Sequence, residues 1–163
     1  MYHSFSKPAS EYNSTSLLEP GPALLSIDHI EQGEINGKPF TFTHPFMCVH
    51  FKVFSDKDTP TGKGFHDLFW LTTDAEWRIA KLIDSAECSF SDNATVFFDG
   101  LIGRFIVGEI GVSSKSSKGK QIQVNEIISM RQPKQGINAP KIDLSLKIDF
   151  TIAAPDRDDS LPF

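Results

Sequence analysis

The sequence predicts an all-β domain, a small β-barrel with one helix, and three observations support this class. Polar and apolar residues alternate along several short segments, which is the two-residue period of a half-buried strand. One segment near the middle of the chain has the start signal and the spacing of a helix. The 163 residues, 39% of them hydrophobic, provide a core for one domain of ordinary size.

The chain begins with a polar segment, residues 1–22, which we interpret as a loosely ordered N-terminal arm because it ends in Pro and Gly. The first strand is predicted over residues 23–35, with Gly33 as a bulge or bend, and a turn follows at residues 36–39. The second strand covers residues 46–54. Its core face is expected to consist of Met47, Val49, Phe51 and Val53.

A polar loop over residues 55–64 leads to a third strand over residues 65–71. Thr73 and Glu76 then form the capping-box pattern of a helix that runs to about Ala86. The apolar side of this helix is predicted to consist of Trp77, Ala80, Leu82 and Ile83. The side in water is predicted to consist of Arg78, Lys81, Asp84 and Glu87.

After a loop over residues 88–103, two further strands are predicted over residues 104–112 and 120–130, joined by a Ser/Lys loop. One face of the second of these strands is predicted to carry Ile122, Val124, Ile128 and Met130. Alternation also indicates an additional strand over residues 142–152. It either covers an open edge of the barrel or pairs with a second subunit in a homodimer.

The order strand, strand, strand, helix, strand, strand is that of the OB-fold, a five-stranded barrel. We assign this domain, with the extra C-terminal strand, to residues 23–152, and a tail to residues 153–163. The same elements are also compatible with an α+β sheet.

Charge is distributed unevenly along the chain, although the total is only −5. Residues 104–141 hold seven basic residues against two acidic ones, a local charge of +5. The end of the chain is acidic, with three aspartates against one arginine in its last eight residues. The acidic total therefore does not exclude a basic binding groove.

The outward face of the second strand is predicted to carry two phenylalanines, a histidine and a lysine: Phe46, Phe54, His50 and Lys52. Unpaired bases stack on rings for about 1–3 kcal/mol each while cations follow the phosphates, so this face predicts sequence-independent binding of single-stranded DNA. Loops or the N-terminal arm could instead cover both phenylalanines and make them part of the core. In the third strand, Trp70 rather than Phe69 is predicted to be the exposed stacking ring, although a core position for Trp70 is equally compatible.

The Ser/Lys loop over residues 113–119 joins the last two barrel strands, a position at which OB-folds bind oligonucleotides. The cations expected to attract phosphates, in a salt-dependent way, are Arg104, Lys115, Lys118, Lys120 and Arg131. A solvated hairpin tip without a ligand would have the same composition.

No catalytic site is predicted, because no nucleophile motif and no phosphate-binding glycine loop is present, so we expect neither an enzyme nor a cofactor. The residues that come nearest to a zinc site are His44, Cys48, His50 and His66. Their spacings are not those of a zinc finger or ribbon, and no metal is expected. The chain also lacks a membrane segment and a secretory signal, and its two cysteines have no disulfide-framework spacing, which predicts a cytoplasmic protein.

An apolar tip follows the acidic tail and ends in a free carboxylate. The residues predicted to bind a partner are Asp156, Asp158, Asp159, Leu161, Pro162 and Phe163. A pocket can take the terminal ring while basic residues take the carboxylates. This end resembles the C-terminus of bacterial single-stranded-DNA-binding proteins, which finish in an acidic stretch, an aliphatic residue, Pro and Phe. Arg157 and Ser160 depart from the all-acidic form of that pattern.

The body of the chain lacks the long Gly/Gln/Pro linker of the bacterial family and is more similar to compact single-stranded-DNA-binding proteins of bacteriophages. The similarity covers a strand, helix and strand at residues 65–71, 77–86 and 101–104 onward, followed directly by the acidic end. It implies a role in phage or plasmid DNA replication, recombination and repair in a bacterial cytoplasm, with the tip recruiting other replication or repair proteins. The alternatives are an acidic DNA mimic directed against a defence system, a metal-binding β-barrel and a phage structural protein.

Overall fold

A computed structural model describes residues 1–6, 17–57 and 59–146. The strands are β1 (Gly21–Gln32), β2 (Glu34–Ile35), β3 (Lys38–Pro39), β4 (Phe46–Asp56), β5 (Thr59–Trp70), β6 (Cys88–Ser89), β7 (Phe105–Ser117), β8 (Lys120–Arg131) and β9 (Ile142–Asp143). The helix α1 spans Glu76–Ser85, and 3₁₀ segments cover Thr73–Ala75 and Phe98–Leu101.

Five long strands form one curled antiparallel sheet in the order β5-β4-β1-β7-β8. The first three long strands form a meander, the fourth returns to pair with the first, and α1 lies between the third and the fourth in the chain. This arrangement confirms the predicted all-β class with an OB-like barrel and one helix.

The core fills the inside of the curl. Met47, Val49 and Phe51 of β4 are buried as predicted, while Val53 is half-buried near the end of the strand. The other buried side chains of the barrel include Leu25, Ile27, Phe69, Ile106, Ile110, Ile127 and Met130, and α1 adds Ile79, Leu82 and Ile83.

A polar clamp ties α1 to the two outermost strands of the sheet. Asp67 of β5 is buried and accepts hydrogen bonds from Arg78 Nη2 at 2.6 Å and from the Ile127 backbone amide of β8 at 2.9 Å. Arg78 also donates to the carbonyl oxygens of Leu68 and Ile127. The prediction that Arg78 lies in water was therefore wrong, because its guanidinium satisfies buried acceptors where β5 approaches β8.

The helix begins later than predicted and shows a different apolar side. Thr73 is part of a 3₁₀ turn, and no side-chain capping bond precedes the helix, so the expected capping box was wrong. Trp77, expected on the apolar side, is 69% exposed, whereas Ile79 takes a core position. Helix side chains three and four apart share a face, so Leu82 and Ile83 are buried together with Ile79, whereas Trp77, two residues before Ile79, lies on another side of the helix.

Two of the predicted loops are mostly strand. β4 continues to Asp56 and β5 begins at Thr59, and β7 and β8 extend to a two-residue turn at Lys118 and Gly119. Both turn residues have positive φ, at 50° and 75°, which is the backbone pattern that suits tight hairpins. These segments were predicted as loops because they are polar. They are polar because the ends of the strands extend into solvent and bury few side chains.

A bulge in β8 overturns its predicted face. The register with β7 shifts between Glu109 and Ile110, so that Ile127 and Met130 are buried while Ile128 is 66% exposed. Ile122 is also exposed, since this part of β8 extends toward the hairpin tip. One extra residue in a strand reverses which side chains face the core.

The ends of the described chain differ from expectation in two ways. Leu18, within the predicted arm, is hydrogen-bonded through its backbone N–H and C=O to the side chain of Asn125. Ile142–Asp143 pairs in parallel with β6 rather than with the barrel sheet, and the predicted strand beyond residue 146 lies outside the described residues.

Gly33 is a bend, as predicted, with φ of 69°.

Candidate nucleic-acid interface

Four rings form an aromatic corner where β4 begins and β5 ends: Phe40, Phe42, Phe46 and Trp70. Phe42 is at the centre, with ring centroids 4.8 Å from Phe40, 4.9 Å from Phe46 and 5.3 Å from Trp70. Phe40, Phe42 and Trp70 are 50%, 38% and 37% exposed. The corner therefore presents three partly exposed rings to solvent on one supported platform.

Phe46 itself is not an exposed stacking ring. It is only 2% exposed because Phe42 and Trp70 pack against it, so its predicted contact with DNA was wrong. Trp70 is the exposed member of its pair and Phe69 is fully buried, as expected. Phe40 and Phe42 were not predicted as site residues, although the alternation Phe40-Thr41-Phe42-Thr43 before β4 is a signal that could have found them.

A row of three histidines crosses the outer surface of the sheet beside the aromatic corner. The strand register places His29 of β1 opposite His50 of β4, and His50 opposite His66 of β5. The rings of His29 and His50 are stacked at 3.8 Å, and those of His50 and His66 are 5.3 Å apart. Partial desolvation, with the neighbouring His50 and Lys115, holds the pKa of His66 below its ordinary value.

The two carboxylates of β1 on this surface are both paired. Hydrogen bonds from His29 and Lys52 lower the pKa of Asp28. Desolvation would raise the pKa of Glu31, but hydrogen bonds from His50 and from the Gly37 and Asn36 amides outweigh it and lower the pKa. Lys52, a predicted DNA ligand, remains 59% exposed while it contacts Asp28 at 3.0 Å.

The β7–β8 hairpin carries the predicted lysines Lys115, Lys118 and Lys120, and all three are exposed. The charge of Lys115 contributes to the lowered pKa of His66, although less than burial and His50 do. Arg131 is exposed but lies at the opposite end of β8, paired with Val107.

Arg104 is buried, and its predicted role as a phosphate ligand was wrong. Its guanidinium donates to the carbonyl oxygens of Ala86, Glu87 and Pro140 at 3.0, 2.8 and 3.3 Å. Ala86 is the C-cap residue directly after α1, so its bond from Arg104 satisfies a carbonyl group that has no partner within the helix. Phe54 is half-buried against Phe105, at 5.2 Å between ring centroids.

The thiol of Cys48 and the groove beside α1 are less suited to binding nucleic acid than the aromatic corner and the hairpin. Cys48 lies beside the histidine row, where burial and the nearby Glu31 and Asp67 raise the pKa of its thiol to about 12, so it stays protonated at neutral pH. A groove of about 750 Å³ between α1 and residues 90–98 is lined by one ionisable residue, Glu76. That groove offers no cation to a phosphate.

No protein-family model and no curated protein sequence matches this chain. Within residues 1–6, 17–57 and 59–146, no helix has the length and apolar character needed to cross a bilayer. The predicted partner-binding residues of the tail lie outside the described residues.

Proposed function

We propose that this protein binds single-stranded DNA without sequence preference and has no catalytic activity. The strand follows the outer face of β1, β4 and β5, from the aromatic corner across the histidine row to the β7–β8 hairpin. One observation carries this proposal: the rings of Trp70, Phe42 and Phe40 are all partly exposed to solvent at one corner of an OB-like barrel.

Stacking supplies the preference for single strands. Each unpaired base that lies on a ring gains about 1–3 kcal/mol, and only a base outside a duplex offers its flat face. Stacking does not distinguish one base from another, because every base has a flat aromatic face. The site therefore suits a protein that covers exposed strands of any sequence.

Phosphate attraction comes from Lys52 and the hairpin lysines. Two carboxylates of β1 on the proposed path, Asp28 and Glu31, are hydrogen-bonded to basic or titratable neighbours, which reduces their repulsion of DNA. The proposal leaves out Arg104, which is buried, and Arg131, which lies at the far end of β8.

The tail adds a second function to this proposal. Its acidic residues and its Leu161-Pro162-Phe163 tip recruit replication, recombination or repair proteins of a bacterial cytoplasm to the covered strand. This part rests on the resemblance of the chain end to bacterial single-stranded-DNA-binding proteins.

A titration of the full chain with labelled oligothymidylate and with a duplex of equal length, at two salt concentrations, tests the proposal. We expect tighter binding to the single strand and an affinity that falls as salt rises, because phosphate contacts release counterions. Removal of Phe163 alone should leave this affinity unchanged, since the tip contacts a protein partner. Equal binding of both DNAs, or binding of neither, would refute the proposal.

A further inference from the structure

Three side chains at the centre of the outer face bring metal-ligating atoms together. One ligand atom from each of His29, Glu31 and His50, a ring nitrogen or a carboxylate oxygen, lies within 4.8 Å of the other two. Strand pairing produces this cluster, because His29 lies opposite His50 while Glu31 lies two residues further along the same face of β1. We propose that these residues bind one divalent transition-metal ion, with zinc as the ion that fits best.

The donor set supports this choice of metal. Two imidazole nitrogens and one carboxylate oxygen form a set that zinc accepts in proteins, whereas calcium and magnesium prefer oxygen ligands alone. His50 Nε2 and Glu31 Oε2 are 2.8 Å apart. Two ligands of a tetrahedral zinc at about 2.0–2.1 Å are separated by roughly 3.3 Å, so a small outward movement admits the ion.

Neighbouring groups hold the ligands in place. Asp28 Oδ2 accepts a hydrogen bond from His29 Nδ1 at 3.0 Å, which leaves Nε2 of that ring with its lone pair for the metal. Glu31 accepts the backbone amides of Asn36 and Gly37 at 2.9 and 2.6 Å, so the turn after β2 fixes its carboxylate. This carboxylate–histidine–metal arrangement is common at zinc sites.

One ring must move for the ion to bind. His29 and His50 are stacked with an angle of 12° between their planes, and in-plane lone pairs of parallel rings do not converge. His29 can tilt because its side chain is 48% exposed and it follows a register shift in β1. The exposed side of the site leaves a fourth position for water or for an anionic oxygen, as in open three-ligand sites.

The inference does not depend on DNA binding, and its experiment measures metal alone. Metal-free full-length protein is dialysed against Zn²⁺ and the bound metal is counted, while Co²⁺ replaces Zn²⁺ to give a visible absorption spectrum. We expect one ion per chain and Co²⁺ bands of four-coordinate intensity. His29→Ala should weaken zinc binding at least about a hundredfold, and Asp28→Asn about tenfold.

His44→Ala is the matched control, because His44 is exposed and lies outside the cluster. It should bind zinc like the wild type. Thermal unfolding of the metal-free variants shows whether each is folded. We expect His29→Ala to remain folded, because it removes a side chain that is 48% exposed. Equal zinc affinity in the wild type and His29→Ala, or loss of binding in His44→Ala, would overturn the inference.

Discussion

Glu31 shows at the scale of one residue how the outer face is stabilised. Its pKa lies below the ordinary value of 4.5, so the folded chain binds this proton less tightly than the unfolded chain. The stability that Glu31 contributes is therefore complete above about pH 4.5 and is lost as pH falls through the lowered pKa. Glu31→Gln should make the thermal midpoint depend less on pH over roughly pH 3–5.

Glu34→Gln is the comparison for this measurement, because Glu34 is exposed on β2 and close in sequence. Its thermal midpoint should follow the wild-type pH dependence. An unchanged pH dependence in Glu31→Gln would show that the hydrogen bonds to His50, Asn36 and Gly37 do not stabilise the carboxylate.

Single residues also show where the sequence was insufficient. Arg104 resembled the other cations of its block, and only the approach of Ala86, Glu87 and Pro140 from distant parts of the chain makes it a buried donor. The alternation of β4 places Phe46 on its outward face. Phe42, from the preceding loop, covers it, and alternation carries no information about such a cover.

At the scale of elements, the β7–β8 hairpin is the most direct test of the phosphate contacts. Replacing Lys115, Lys118 and Lys120 together by Gln should weaken binding of single-stranded DNA. Each lost contact lowers the slope of log affinity against log salt by about 0.7, so the slope should fall by up to about 2. Lys118 has positive φ, and Gln there keeps a side chain of similar size, so the turn should be preserved.

Arg131→Gln gives the matched control on the same strand. Arg131 is exposed like the hairpin lysines but lies at the other end of β8, so its loss should leave the salt slope unchanged. If Arg131→Gln lowers the slope as much as the hairpin variant, the strand does not follow the proposed path.

Strand pairing explains why the strands were predicted correctly more often than the side chains on them that face the core. The alternation in β4 correctly indicated Met47, Val49 and Phe51 as core, because that strand is regular over these residues. β8 has the same kind of pattern, but its bulge against β7 places Ile127 inside and Ile128 outside. Register depends on the partner strand, which a single segment does not specify.

At the scale of the whole molecule, the order of elements was sufficient to predict an OB-like barrel. Three strands, a helix and two strands have few compact arrangements when sequential strands pair, and the observed order β5-β4-β1-β7-β8 is one of them. The candidate site was predicted only in part, since it joins a loop, three strands and a hairpin that are distant in sequence. Trp70, His50, Lys52 and the hairpin lysines were among the predicted residues, and the alternation before β4 could have added Phe40 and Phe42. His29 and Glu31 join the site only through the pairing of β1 with β4.

The central claim is that DNA bases stack on the aromatic corner, and the chain's two tryptophans allow a direct measurement. Trp77→Phe leaves Trp70, in the aromatic corner, as the sole tryptophan, whereas Trp70→Phe leaves Trp77, which is exposed on α1. Both variants are titrated with oligothymidylate while tryptophan fluorescence is recorded. We predict strong, saturable quenching when Trp70 is the sole tryptophan and no change when Trp77 is. Quenching of Trp77 with Trp70 unaffected would contradict the account.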